Sequence, residues 1–245
     1  MKKVIRKILI ILFIIILVIF VAFNIYTSGY YHAIDCNEYL NSNDNVTVSY
    51  DNDNNIWFKP KEEKDDAIIF YPGGLVEHRA YAPIMRKLAD KGYLTVICNM
   101  PYNLAFFNSN AASEMISSTE FKDKDTFIAG HSLGGAFASR FYQKNSDKLK
   151  GLILMAAYSD KDLSKIENAH VLQIYGTLDN VINKSKLEKY KTNLPSNLTL
   201  FEINGGNHSY FGSYGVQKKD NEATITALHQ WEITTLKIDE FIQNC

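Results

Sequence analysis

The sequence predicts an α/β fold: a mostly parallel, twisted sheet with helices on both faces and an antiparallel N-terminal hairpin. No cap domain is expected, and one transmembrane helix precedes the sheet. Three observations carry this reading. Short apolar runs alternate with segments of helical periodicity from residue 67 onward. Those runs are apolar at nearly every position, as strands covered on both faces are. An unbroken apolar stretch, Ile8 to Phe23, stands apart from them near the N-terminus.

Length and composition bound the rest. The 245 residues are 46% hydrophobic and 22% charged, which suits one globular domain with an appendage. A net charge of −1 gives no global basic footprint for nucleic acid. Three widely spaced cysteines make neither a disulfide scaffold nor a zinc site. No metal cluster, P-loop or dinucleotide fingerprint occurs, so no cofactor is expected.

The apolar stretch reads as an uncleaved signal anchor. With Val4, Ile5 and Ile25 it is about 20 residues long, enough for a hydrocarbon core of roughly 30 Å. It exceeds the apolar region of a cleaved signal peptide, and Thr27-Ser28-Gly29 is a poor cleavage site. Lys2, Lys3, Arg6 and Lys7 precede it, and no Lys or Arg follows until Lys59. The positive-inside rule therefore puts the N-terminus in the cytoplasm and the remainder outside. Residues 1–26 form the basic tip and anchor, 27–45 a polar linker, and 46–245 the folded domain. An oxidising location makes Cys36 and Cys245 candidates for a disulfide.

Within the domain, Val46–Tyr50 and Ile56–Lys59 flank a turn-rich segment and read as a hairpin. Ala67–Tyr71 is a buried strand, and Tyr81–Lys91 a helix stopped by Gly92. Tyr93–Cys98 and Thr126–Ala129 are strands, and a helix follows the latter to about Lys144. Gly151–Ala157, Val171–Tyr175 and Leu198–Ile203 are further strands. Lys184–Thr192 and Ile225–Ile242 are helices. In such sheets ligands bind at the carboxyl ends of the strands, so catalytic residues should follow strands directly.

Gly130-His131-Ser132-Leu133-Gly134 fits that place: it follows the strand DTFIA and opens a helix. A nucleophile at such a sharp turn needs small neighbours so that strand and helix can approach. Ser132 is the candidate nucleophile. The Leu133 N–H, at a helix N-terminus, is a candidate oxyanion donor. A serine hydroxyl needs a base. His208 follows the last strand and is the candidate base, with His78 as its competitor. Asp179 follows VLQIY and is the candidate acid that orients the imidazole, with Asp160 and Asp162 as rivals. The loop Pro72-Gly73-Gly74-Leu75 is placed to give a second oxyanion amide, from Gly74 or Leu75.

The elbow GHSLGG, the segment YGTLD and the segment GGNHSYFGSYG resemble the α/β-hydrolase superfamily. The likeness spans about residues 65–245. It is similar to a compact, lid-less bacterial branch akin to dienelactone-hydrolase-like proteins. The resemblance implies Ser132 as nucleophile, Asp179 as acid and His208 as base. It also implies the Leu133 and Gly74 or Leu75 amides as the oxyanion hole. Two departures stand out. The loop reads YPGG and not the commoner HGGG. The nucleophile is a serine where dienelactone hydrolases use a cysteine, so their substrate does not carry over.

Only a dozen residues separate Ala157 from His170, where larger relatives insert a cap, so an open cleft is expected. Leu104, Phe106, Phe107 and Tyr210 are candidate substrate-lining residues. The expected activity is that of a membrane-anchored serine esterase on a small-molecule or lipid-like ester or thioester. Alternatives are an acyltransferase using the same triad on a cell-envelope acceptor, and a non-catalytic binding protein on the same fold.

Overall fold

A computed structural model describes residues 2–245 and divides the chain into an N-terminal unit ending at Tyr30 and a compact body, Tyr31–Cys245. In the first unit, α1 (Lys2–Ser28) is one 27-residue helix, long and apolar enough to cross a membrane. At 1.5 Å per residue it measures about 40 Å.

The body carries an eight-stranded sheet. Its strands are β1 (Val46–Tyr50), β2 (Ile56–Pro60), β3 (Asp66–Tyr71), β4 (Leu94–Ile97), β5 (Asp125–His131), β6 (Gly151–Met155), β7 (His170–Gly176) and β8 (Thr199–Ile203). The spatial order is β1-β2-β4-β3-β5-β6-β7-β8. β1 and β2 pair antiparallel, as does β2 with β4. All remaining pairs are parallel. The helices are α2 (Ala82–Ala89), α3 (Ala112–Ile116), α4 (Leu133–Lys144), α5 (Lys184–Lys189) and α6 (Ala227–Ile242).

The period-two geometry of β3 explains why its sequence is apolar throughout. Ile68 and Phe70 pack on one face with Ile84 and Leu88 of α2 and Ile238 and Phe241 of α6. Ala67, Ile69 and Tyr71 pack on the other with Ala138 and Phe141 of α4. Both faces are therefore hydrophobic cores, and each fully buried Ile or Phe contributes about 1.5–3 kcal/mol. The closing helix is capped by Thr226, whose side chain accepts from the His229 N–H. Asp239 of α6 also takes hydrogen bonds from Tyr93 and Lys91, at 2.6 and 2.8 Å.

Residues 31–45, read from the sequence as a linker, belong to the body. Tyr31 bridges Val76, Cys36 is buried, and Tyr39 packs edge-on against Trp231. Arg86 of α2 holds the Tyr39–Asn41 segment by donating to the Asn41 carbonyl at 2.6 Å. Isolated apolar residues in a polar stretch carry no period, which is why this attachment escapes a pattern search. Cys36 and Cys245 are both free thiols, so the disulfide considered above is not formed.

Candidate active site

Ser132 sits between β5 and α4 with φ +51° and ψ −118°, a conformation that L-residues rarely adopt. The turn is held on both sides. The Ser132 N–H donates to the Met155 carbonyl on β6, and its own carbonyl accepts from Ala136. The flanking glycines are steric requirements. A Cβ on Gly134 would lie 2.1 Å from the Tyr71 carbonyl oxygen. One on Gly130 would lie 2.6 Å from the Gly134 backbone. Strand, helix and the loop after β3 thus approach closer than any side chain allows.

His208 follows β8 in the segment 204–208. Its Nδ1 lies 2.8 Å from Asp179 Oδ2, and both residues are buried. The other Asp179 oxygen accepts from the Val181 and Ile182 amides, at 2.9 and 2.8 Å. Three hydrogen bonds therefore fix the carboxylate, and the carboxylate assigns the Nδ1 proton of His208. Nε2 of His208 is buried and has no hydrogen-bond partner among the described residues. The rivals are engaged elsewhere. Asp160 pairs with Arg140 through two bonds, Asp162 caps Ser164, and His78 contacts the Asn54 carbonyl.

The loop carrying His208 is pinned by residues that sequence reading did not single out. Gln230 of α6 accepts from the Asn207 N–H and donates to the Asn207 carbonyl, at 3.0 and 2.9 Å. Asp220 accepts from both the N–H and the hydroxyl of Ser209. His131, read only as the variable elbow position, is buried with its ring centroid 4.5 Å from that of His208. Tyr81 accepts from the Gly73 N–H at 3.0 Å and lies 2.8 Å from His131 Nδ1. Burial first, then the charge of His208, hold the His131 pKa well below its ordinary value. A neutral His131 accepts the Tyr81 O–H at Nδ1 and carries its proton on Nε2.

The loop after β3 has four residues that could offer an amide. Pro72 has none. The Gly73 N–H is taken by Tyr81, and the Leu75 N–H donates to the Asn103 carbonyl at 2.8 Å. Of the two expected donors, Leu75 is thus committed elsewhere, and Gly74 is left. Gly74 lies against Leu133: a Cβ there would come 2.7 Å from Leu133 Cδ2. Gly74 therefore packs against the Leu133 side chain at the elbow.

A cleft of about 260 Å3 opens beside Ser132. Its walls are Leu133, Ala136, Ala156, Ala157, Tyr158, Val181, Ile182 and Asn183. Leu104, Phe106, Phe107 and Tyr210 do not line this cleft. Phe106 and Phe107 contact each other and Phe137 or Tyr102 on a separate exposed ledge. The walls of this cleft come from the start of α4 and from the loops after β6 and β7, and Tyr158 is their one aromatic residue. A larger hollow, about 380 Å3, lies among His170, Thr199, Lys237 and Cys245, at the amino ends of β7 and β8. It contains none of Ser132, His208 and Asp179. No group of three or more His, Cys, Asp or Glu that could hold a metal occurs among the described residues.

The profile of the Alpha/beta hydrolase family matches residues 67–232. No curated protein matches the sequence. Among solved structures, the chain is similar to Est1E from Butyrivibrio proteoclasticus, at 16% identity and TM-score 0.58, covering 82% of this chain and 100% of that one. It is also similar to MGS-MChE2, an alpha/beta hydrolase enzyme from lagoon-sediment metagenome, at 14% identity and TM-score 0.59, covering 81% and 98%. TT1662 from Thermus thermophilus aligns at 13% identity and TM-score 0.58, covering 80% and 98%. At these identities the likeness is one of fold.

Proposed function

Because the chain belongs to the alpha/beta hydrolase family, we propose that it is a membrane-anchored serine hydrolase that cleaves carboxylic esters or thioesters outside the cytoplasm. The observation that carries the reading is the buried His208–Asp179 hydrogen bond, with Nε2 of His208 left unpartnered beside the elbow. In this reading Ser132 Oγ attacks the ester carbonyl while His208 Nε2 takes its proton. Asp179 holds the imidazole and stabilises the imidazolium. The Leu133 and Gly74 amides meet the oxyanion, each donor contributing roughly 2.7–4 kcal/mol.

Collapse of the tetrahedral intermediate breaks the acyl–oxygen bond, and His208 returns the proton to the leaving alcohol. Water then attacks the acyl-enzyme by the same route and releases the carboxylic acid. The apolar cleft of Ala136, Ala156, Ala157 and Ile182 suits the carbonyl end of an acyl group. The helix α1, whose first turns carry Lys2, Lys3, Arg6 and Lys7, supports a single-pass anchor with the body on the outer side.

The test is turnover of short- and medium-chain activated esters by the full chain in detergent, with Ser132→Ala as control. Turnover that falls at least about a thousandfold in Ser132→Ala, together with wild-type labelling by a fluorophosphonate, is the expected result. Absence of both turnover and labelling in folded protein overturns the reading.

A further inference from the structure

We propose that the catalytic rim docks on the lipid bilayer and that the ester substrate is presented from that bilayer; this rests on the membrane-anchored hydrolase reading above. The first observation is how the chain enters the body. Tyr31 donates its N–H to the Leu75 carbonyl at 2.7 Å, in the loop whose Leu75 N–H is held by Asn103. The Tyr31 hydroxyl accepts from the Lys218 N–H at 2.9 Å. Ile34 exchanges hydrogen bonds with Ser213 in both directions. The strap Tyr31–Ile34 is thus laced between the oxyanion-side loop and the base loop.

The second observation is the shortness of the tether. The helix α1 ends at Ser28, so only Gly29 and Tyr30 intervene before Tyr31. Three residue steps of extended chain span at most about 10 Å. The helix and the strap are thus joined by two residues, and the strap is the part of the body that the chain enters first. The fold has other surfaces, but the attachment is made at this one.

The third observation is what the rim displays. Nine large hydrophobic residues of the body are exposed; Ile34 lies on the strap, Val216 on the 213–218 segment it bonds, and Tyr102, Phe106 and Phe107 on the loop after β4, whose Asn103 carbonyl holds the Leu75 N–H. Phe106 is 68% exposed and Tyr102 is 50% exposed. Their rings meet Phe107 at 5.3 and 5.4 Å, forming one aromatic ledge. Aromatic side chains favour the bilayer interface, where apolar ring and polar edge are both accommodated. A ledge of this kind on a soluble enzyme would be an aggregation liability. On a body held at a bilayer it is an insertion surface, and it brings the nucleophile to esters whose acyl chains stay in the lipid.

The reaction remains hydrolysis. The acyl–oxygen bond breaks, water supplies OH to the acyl carbon and H to the alcohol, and no other reactant is consumed.

The test uses the full chain in vesicles of phosphatidylcholine and phosphatidylglycerol. Two substrates are compared: a water-soluble short-chain p-nitrophenyl ester, and a fluorogenic long-chain ester embedded in the same vesicles. In Phe106→Ser/Phe107→Ser the embedded ester should be hydrolysed about tenfold or more slower, with soluble-ester turnover within about twofold of wild type. Phe106 and Phe107 do not line the cleft at Ser132, so the soluble reaction has no reason to change. As a structural readout, a Phe106→Trp side chain should be quenched by brominated lipid. Trp57 and Trp231 are buried and supply a subtractable background. Equal turnover ratios for both esters, or no added quenching, overturn the docking. If Ser132→Ala leaves the wild-type rates intact, the hydrolase reading fails instead, and quenching alone decides whether the rim meets lipid.

Discussion

His131 packs against His208 with ring centroids 4.5 Å apart, and both imidazoles are buried. One ring is held by Asp179 and the other by Tyr81. The pair brings the elbow into contact with the loop carrying His208 through two imidazole rings.

The pH dependence of stability follows from that contact. Burial and His208 keep the folded-state pKa of His131 well below 6.5. The unfolded chain therefore takes up a proton, as pH falls through about 6.5, that the native protein refuses. Stability should decline below about pH 6.5 and go on declining until pH reaches the folded-state value. His78, also lowered by burial, acts in the same direction. His131→Phe keeps a ring and should flatten the decline in urea midpoint without abolishing it. An unchanged slope would show that His131 ionises in the folded protein as it does in water.

Gly134→Ala tests the close approach at the elbow. Its Cβ would meet the Tyr71 and Pro72 carbonyl oxygens at 2.1 and 2.3 Å, both backbone. Relief requires α4 or the loop after β3 to move. We expect a loss of about 3 kcal/mol or more by chemical denaturation, with ester turnover lost in any folded fraction. A variant of wild-type stability would mean the loop yields freely.

Gln230→Met removes the side-chain amide that satisfies both backbone groups of Asn207. Two buried polar groups lose partners, at about 1–3 kcal/mol each. On the proposed mechanism Gln230 positions His208 through Asn207, one step removed. Its loss should lower kcat while leaving KM within about twofold. A change confined to stability would assign Gln230 a structural role only.

Asp239→Asn addresses the docking of α6. Burial alone would raise the Asp239 pKa, but hydrogen bonds from Lys91 and Tyr93 bring it down to about 2. The sign is that of a depressed carboxylate. Its contribution is present above the unfolded value near 3.8 and is lost as pH falls through about 2. The variant should lose about 1–3 kcal/mol at neutral pH, and its stability should depend less steeply on pH in the acid range.

What the sequence determined by itself was whatever local geometry demands. Continuous apolar runs such as those around Ile68–Phe70 announce strands covered on two faces, because both faces of the sheet are cores. Gly130, Gly134 and Gly135 announce a turn where backbone meets backbone, because no other residue fits. The places of Asp179 and His208 just past strands were legible for the same reason, since strand ends are written in hydrophobic pattern. The tertiary structure alone decided the partners: Tyr81 with His131, Gln230 with Asn207, Tyr31 with Leu75, and the loops that wall the cleft at Ser132. These contacts join residues tens to hundreds of positions apart through single hydrogen bonds or ring packings. A contact of that kind has no period and no composition, so it exists only once the chain has folded around it.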